Sequence, residues 1–150
     1  MDYNSWIAIL REVLQEKEKP LTLRNGHWEV VDRTALWHAL SSRIFDTHLN
    51  QFKACVVEVL REIDPQFELP AEDRYAASIH GKILKHSFDL RQGLAETLAL
   101  LGNFGNILVN CSQHKAETVS ILSVREILER ANWQLWGSLN DLLPTLAEAA

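Results

Sequence analysis

The sequence predicts an all-α fold: an irregular helical bundle or a short α-solenoid segment of six to seven helices, with one small β-hairpin near residues 21–31. Three observations predict it. Apolar residues recur at helical spacing along most of the chain. Ser, Asp, Asn and Pro stand where these stretches begin, as capping and first-turn residues do. Third, the connections between these stretches are short, which is typical of packed helices. The sequence contains no internal repeat of fixed period, so it does not decide between a solenoid and a bundle.

The chain has 150 residues, of which 47% are hydrophobic and 23% charged. These values are typical of one globular domain, and we expect residues 1–150 to form a single all-helical domain. A disordered chain would carry fewer apolar residues and less balanced charge.

Besides the stretch 71–101, which is described below, six segments have the apolar spacing of amphipathic helices. Each begins at a capping residue or a proline, and the run Glu16–Lys19 with Pro20 is expected to end the first. The predicted helices are 5–17 after Asn4 or Ser5, 33–44 after Asp32, 47–63 after Asp46, 114–131 after Ser112, one after Asn132 and one from Pro144.

The hairpin prediction rests on Asn25-Gly26, which stands between the short apolar and β-branched runs LTLR and HWEVV. Asn-Gly supplies the two positive φ angles of a type I′ turn, the turn that joins two antiparallel strands most directly.

The segment 71–101 allows two interpretations. Its apolar residues keep one helical phase after Pro70, which predicts one long helix despite Gly81. Alternatively, Ser87 caps a separate second helix after a kink. In either case Gly102 is expected to end the helix.

Composition also excludes several functions. The net charge of −5 and a pI near 5.6 argue against nucleic-acid binding, which needs clustered Lys and Arg. No apolar run approaches the roughly 20 residues that cross a bilayer, and the first ten residues do not resemble a signal peptide. We therefore expect a cytoplasmic location and no membrane partner.

The two cysteines are expected to be reduced thiols, with Cys55 buried in an apolar helix. Cys111 and His114 have metal-ligand spacing, but zinc needs four ligands and no second pair stands nearby. No phosphate-binding loop, serine-nucleophile motif or zinc-protease motif is present either. We expect no metal, no cofactor and no catalytic residue.

One basic stretch stands out, since Arg74 to Arg91 carries four Arg or Lys against one acid, directly after the acidic stretch Glu58–Asp73. We expect the two stretches to pair with each other or to remain solvated. The alternative is an anionic-ligand site, whose candidate contacts are His80, Lys82, His86 and Arg91. Of these, His80 is expected to be buried and hydrogen-bonded beside Gly81.

A candidate interface lies near the end of the sequence. Trp133, Trp136 and Leu146 are apolar residues on short helices, and the sequence ends within the helix that Leu146 belongs to. These features fit a fragment of a larger multidomain protein in which they contact the remainder of the parent chain or another protein. A homo-oligomer is the other option.

Three stretches resemble the helical region downstream of the ATPase module in large bacterial signal-transducing NTPases of the STAND class. They are RYAASIHGKILKHSFDLRQGLAETLALLGN (74–103), NCSQHKAETV and WGSLNDLLPTLAEAA. The resemblance lies in helix-packing patterns. The phosphate-binding loop that defines the class is absent from this sequence. The resemblance implies a helical scaffold or sensor segment and transfers no catalytic residue. Our expectation is thus a non-enzymatic protein-interaction module, with a small helical enzyme or ligand-binding domain as the alternative.

Overall fold

A computed structural model describes residues 3–15 and 19–150. Within them the chain forms seven α-helices, short 3-10 turns and one antiparallel hairpin, so the predicted mostly helical fold with a small hairpin is confirmed. The elements are α1 Tyr3–Val13, β1 Leu21–Arg24, β2 His27–Val30, α2 Arg33–Leu40, α3 Asp46–Leu60, α4 Phe88–Phe104, α5 Lys115–Leu128, α6 Trp133–Ser138 and α7 Leu143–Glu148.

These elements belong to two compact units, one of residues 1–45 and 107–111 and the other of residues 46–106 and 112–150. No helix in the described part of the chain is long and apolar enough to cross a membrane.

The first unit contains α1, the hairpin and α2. Asn25 and Gly26 have φ angles of 52° and 81°, which confirms the predicted type I′ turn geometry. Leu21 pairs with Val30 at the open end of the hairpin and is buried there. The Asp32 carboxylate accepts a hydrogen bond from the N–H of Ala35 and caps α2 as predicted.

The second unit is built around α4, which packs against α3, α5 and α7. Its core consists of buried aliphatic side chains from residues 56 to 149. They are Val56, Val59, Leu60, Ala95, Leu98, Val124, Ile127, Leu135, Leu139, Leu142, Leu146 and Ala149. Burial of this apolar surface is the main force that holds the short helices α6 and α7 in place.

Several predicted helix ends are wrong by a few residues. The first helix ends at Val13, and Glu16–Glu18 of the predicted stop signal lie outside the described residues. The second tightens into a 3-10 turn at Ser41–Arg43. The third ends at Leu60, three residues before the predicted end, and the Arg91 guanidinium donates to the carbonyl oxygens of Val59 and Glu62 at this helix end.

The predicted cap of α5 is also wrong. His114, in the left-handed conformation, holds the N-cap position, and the Ser112 hydroxyl instead donates to the Asp46 carboxylate. The caps of the last two helices agree with the prediction. The Asn132 side chain accepts from the N–H of Leu135, and Pro144 lies in the first turn of α7.

The segment 71–101 adopts the second of its two interpretations. Ser87 caps α4 by accepting a hydrogen bond from the N–H of Leu90 at 3.2 Å. The predicted stop at Gly102 is wrong, because α4 continues to Phe104. A side chain at Gly102 would meet the carbonyl oxygen of Ala149 at 2.6 Å, so this glycine allows α7 to approach α4 closely.

Candidate functional site

The segment between α3 and α4 carries three of the four predicted ligand residues, His80, Lys82 and His86, and the most exposed apolar side chains of the second unit. Tyr75, Ile79 and Ile83 are 91%, 85% and 67% exposed. We call these three residues the apolar ridge. Single exposed apolar residues are common on protein surfaces, but three large ones this exposed within one short segment favour contact with another surface.

A shallow cavity of about 380 Å³ lies beside the ridge, and we call it the groove. Ile83 belongs to both features. The groove is lined by apolar side chains from the segment and from the start of α4, with polar groups among them. The lining residues are Asp64, Gln66, Ala77, Ser78, Lys82, Ile83, Leu84, His86, Ser87 and Phe88.

The local fold explains why the ridge is exposed. A 3-10 turn over Ala71–Ala76 leads into a turn that ends at Gly81, whose φ is 68°. The N–H of Lys82 donates to the carbonyl of Ala77 at 2.9 Å, and that of Gly81 to Ser78 at 3.1 Å. This pair of bonds with a left-handed glycine is the usual end of a helical segment, so Ile83 does not continue a helix into the core.

The opposite side of this segment is anchored by Arg74. Its guanidinium lies 5.3 Å from the ring centre of Phe67 and 5.4 Å from that of Trp133, and its Nε donates to the carbonyl of Leu69 at 3.2 Å. Phe67 and Trp133 also contact each other edge-to-face. Cation–π contacts of this kind fix a planar guanidinium between aromatic surfaces. Arg74 is therefore a structural anchor.

Glu62 holds the other end of the segment. Its carboxylate accepts hydrogen bonds from the backbone N–H groups of Lys85 and His86 and lies 2.8 Å from Nδ1 of His86. Burial raises the pKa of Glu62, but the bonds from the His86 ring and from these two N–H groups outweigh it, so the pKa lies below its usual value.

Arg91 is buried, with 2% of its side chain exposed, so it is not available as the predicted ligand contact. Its guanidinium donates to the carbonyl oxygens of Val59 at 3.1 Å and Ser138 at 3.0 Å and lies 3.7 Å from the Glu62 carboxylate. Burial lowers the pKa of Arg91, while Glu62 and Asp64 oppose that shift. Arg91 thus ties the ends of α3 and α6 together.

The other three predicted ligand residues do not converge. His80 is exposed rather than buried, and it is not among the residues that line the groove. A side chain added at Gly81 would meet no atom within 4 Å, so the role of this glycine is the positive φ rather than a close approach. Lys82 and His86 line the groove, but Lys82 pairs with Glu68 and His86 with Glu62. Two contacts therefore join the acidic and basic stretches, whereas Asp73 and Lys85 of the same stretches are exposed.

Of the three predicted interface residues, two are exposed and one is buried. Trp133 and Trp136 are exposed, and Trp133 rests against Phe67 and Arg74. Leu146 is buried in the core of the second unit, so its assignment to an exposed interface is wrong. The predicted burial of Cys55 is also wrong, because this thiol is exposed on α3.

Sequence reasoning missed the ridge and the role of Glu62. The helical phase of Tyr75, Ile79 and Ile83 predicts burial, and only Gly81 signals that the helix stops before Ile83. Glu62 is one of several surface-type acids in its stretch, and no local pattern marks it as the residue that binds two N–H groups 23 and 24 positions away. No group of three or more metal-ligating side chains occurs in the described ranges.

The chain was compared with family models, with curated proteins and with solved structures. No family model, no curated protein and no solved structure matches the chain.

Proposed function

We propose that this protein is a non-enzymatic helical protein-interaction module, and that its contact surface is the apolar ridge together with the groove. The observation that carries the proposal is the high exposure of Tyr75, Ile79 and Ile83 on one short segment. Exposed side chains of this size gain free energy when a partner removes them from water, about 1.5 to 3 kcal/mol for each one fully buried.

The surroundings of the ridge support recognition by shape. Glu62, Arg74 and Arg91 hold the segment in place through bonds to backbone and rings, so its apolar side chains are presented on a fixed support. A pre-organised surface loses little conformational entropy when it binds. Charged groups around such anchors then select the partner.

The proposal extends to the setting of the module. The resemblance to the helical regions of STAND-class NTPases is consistent with a scaffold or sensor segment of a larger bacterial protein. A cytoplasmic location is part of this proposal, and it follows from the sequence expectation of reduced thiols at Cys55 and Cys111.

The alternative is an anionic-ligand site formed by His80, Lys82 and His86. Two observations weigh against it. Lys82 and His86 are each paired with a carboxylate, and His80 does not line the groove. An anion would have to displace Glu68 or Glu62 to gain these partners, which costs the bonds they already make.

Site-specific photo-crosslinking tests the proposal. A benzophenone amino acid replaces Tyr75 in the chain expressed in its cells of origin, and a matched variant carries it at Val109, which is 74% exposed in the first unit. We expect a discrete protein adduct from position 75 that Ile79→Asp abolishes, and none from position 109. The proposal fails if position 75 forms no protein adduct, or if both positions form the same ones.

A further inference from the structure

The hairpin of the first unit is a sheet of two strands, and its register determines which backbone groups face outwards. Leu23 on β1 lies opposite Trp28 on β2. The N–H of Val31 donates to the carbonyl of Pro20 at 2.9 Å, which makes these two residues a hydrogen-bonded pair of the ladder. Because hydrogen-bonded and non-hydrogen-bonded pairs alternate along antiparallel strands, the backbone groups of Trp28 and Val30 point away from β1.

The outer edge of β2 is open. Neither Trp28 nor Val30 has a hydrogen-bond partner for its outward N–H and carbonyl among the residues that the structure describes. Val30 and its neighbours Glu29 and Val31 are exposed, so water satisfies these backbone groups. The edge of β1 differs, because Leu21 on that strand is buried.

The sequence of β2 lacks the features that usually prevent a sheet edge from pairing with another chain. Natural edges carry lysine, proline or a bulge, or another element covers them. The run from His27 to Val31 contains no lysine, proline or glycine, and β2 pairs with β1 without a bulge. Its shortness is the one restraint, and it limits an added strand to about four backbone hydrogen bonds.

The two faces of the hairpin differ in chemistry, and they define the side chains of a matching strand. Leu23, Trp28 and Val30 share one face, whereas His27 and Glu29 share the other. Leu23 and Val30 are exposed on the apolar face. An added strand that places its own apolar residues beside Trp28 and Val30 removes this surface from water.

A positive charge is the complement of Glu29. Its carboxylate is exposed and lies 3.4 Å from the Thr22 hydroxyl and 3.8 Å from Nε of Arg24, both long for a strong contact. On the outer side of β2, Glu29 belongs to a non-hydrogen-bonded pair, in which facing side chains approach most closely. A lysine or arginine at the facing position of an added strand therefore pairs with Glu29.

A sheet of two strands is marginal in water, and a third strand over an apolar face stabilises it. We infer that β2 binds an extended segment of a partner protein as a third, antiparallel strand, with apolar residues opposite Trp28 and Val30 and a base opposite Glu29. The unpaired backbone groups of an extended edge are complementary to another extended chain. This surface belongs to the first unit, so the inference goes beyond the proposed function of the ridge and the groove.

A synthetic peptide, Thr-Val-Lys-Val-Thr with blocked ends, tests the inference on the whole chain. In the antiparallel arrangement its two valines lie opposite Trp28 and Val30 and its lysine lies opposite Glu29. An amide NMR titration measures the binding. We expect saturable shifts that are largest at the amides of Trp28 and Val30, because their outward N–H groups exchange water for a peptide carbonyl.

Methylated peptides provide the matched control without any change to the protein. N-methylation of both valines removes the two N–H groups that face β2, and should raise the dissociation constant by at least about tenfold. N-methylation of the lysine removes an N–H that faces away from β2, and should change the constant by less than about threefold.

Variants of the chain test the same contacts from the other side. Val30→Pro removes the outward N–H at a position where an edge strand tolerates proline. It should weaken binding by about fivefold more than Val30→Ala, which loses the same side chain and keeps the N–H. Glu29→Lys should weaken binding of the original peptide, and a peptide with glutamate in place of lysine should bind this variant more tightly than it binds the unmodified chain. The amide spectrum of each variant shows whether its fold persists.

The inference is overturned if the peptide causes no saturable shift at millimolar concentration, if the two methylated peptides bind equally, or if the shifts lie away from β2. Shifts of Trp28 and Val30 that follow the concentration of the chain alone also overturn it, because a second copy then covers the edge. None of these results affects photo-crosslinking at position 75, so failure of the inference leaves the proposed function in place.

Discussion

At the scale of single residues, Glu62 and Arg91 decide the geometry of the candidate site. Glu62 binds the backbone of the segment before α4, and Arg91 binds the carbonyl groups that end α3 and α6. Both charges lie close together with little access to water. Removal of one partner from such a pair lowers the free energy of unfolding by more than the intact pair contributes to it, because the remaining charge stays buried.

Glu62→Gln tests this role through its pH dependence. The folded state lowers the pKa of Glu62, so its carboxylate stabilises the fold at a pH above the ordinary pKa of about 4.5. That contribution is lost as pH falls through the lower folded pKa. We expect the variant to be less stable by about 2 kcal/mol at neutral pH, the scale of hydrogen bonds to a charged group. Urea unfolding from pH 3 to 7 measures this difference.

The matched control is Glu58→Gln, at an exposed position of α3. It should change stability by less than about 0.5 kcal/mol, as surface substitutions usually do. The role assigned to Glu62 is wrong if the two variants behave alike, or if the loss caused by Glu62→Gln is as large at pH 3 as at pH 7.

At the scale of elements, the start of α4 separates the exposed segment from the core. Ser87 caps this helix, and the residues before it follow a different path that leaves Ile83 at the surface. Without that boundary, the apolar phase of 71–101 would continue as one helix. The stop at Gly81 and the cap at Ser87 are therefore the two local features that separate the ridge and the groove from α4.

Ser87→Ala should lower the free energy of unfolding by about 1 kcal/mol, because the N–H of Leu90 loses its acceptor. Ser87→Asp keeps an acceptor at the cap and should retain most of the stability. Ser78→Ala, a nearby exposed serine without a capping role, serves as control. Denaturant unfolding of the three variants checks the expectation, and equal stability for Ser87→Ala and Ser78→Ala would contradict it.

At the scale of the whole molecule, the two compact units differ in what holds them together. The large aliphatic cluster of the second unit draws on α3 to α7. The first unit contains a sheet of only two strands, and such hairpins are marginal in water without support. Cooperative stability is therefore expected to concentrate in the helices around α4.

Amide hydrogen exchange measures this distribution directly. We expect the slowest exchange in α4 and α5, where the backbone lies beside the aliphatic cluster, and faster exchange by about 100-fold or more in β1 and β2. Added denaturant should affect the α4 amides most strongly, because only global unfolding exposes them. Protection of the hairpin amides equal to that of α4 would contradict this view.

Features that depend on neighbouring residues were predictable from the sequence. The Asn25-Gly26 turn, the caps Asp32 and Asn132 and the first-turn position of Pro144 each involve contacts within three residues or fewer. Their chemistry is local, so the order of residue types is enough to identify them. The helical class of the fold follows from the same periodic pattern.

Features that depend on distant residues were decided by the tertiary structure alone. The apolar residues Tyr75, Ile79 and Ile83 share the helical phase of the segment 71–101, yet they are exposed, and Arg91, a candidate ligand contact from the sequence, is buried. The reason is that burial depends on which element packs against which, and the contacts of Arg91 come from residues 29 to 47 positions away. By itself the sequence therefore determined the helical class of the fold and several local caps, whereas packing decided where helices end and which side chains remain for a partner.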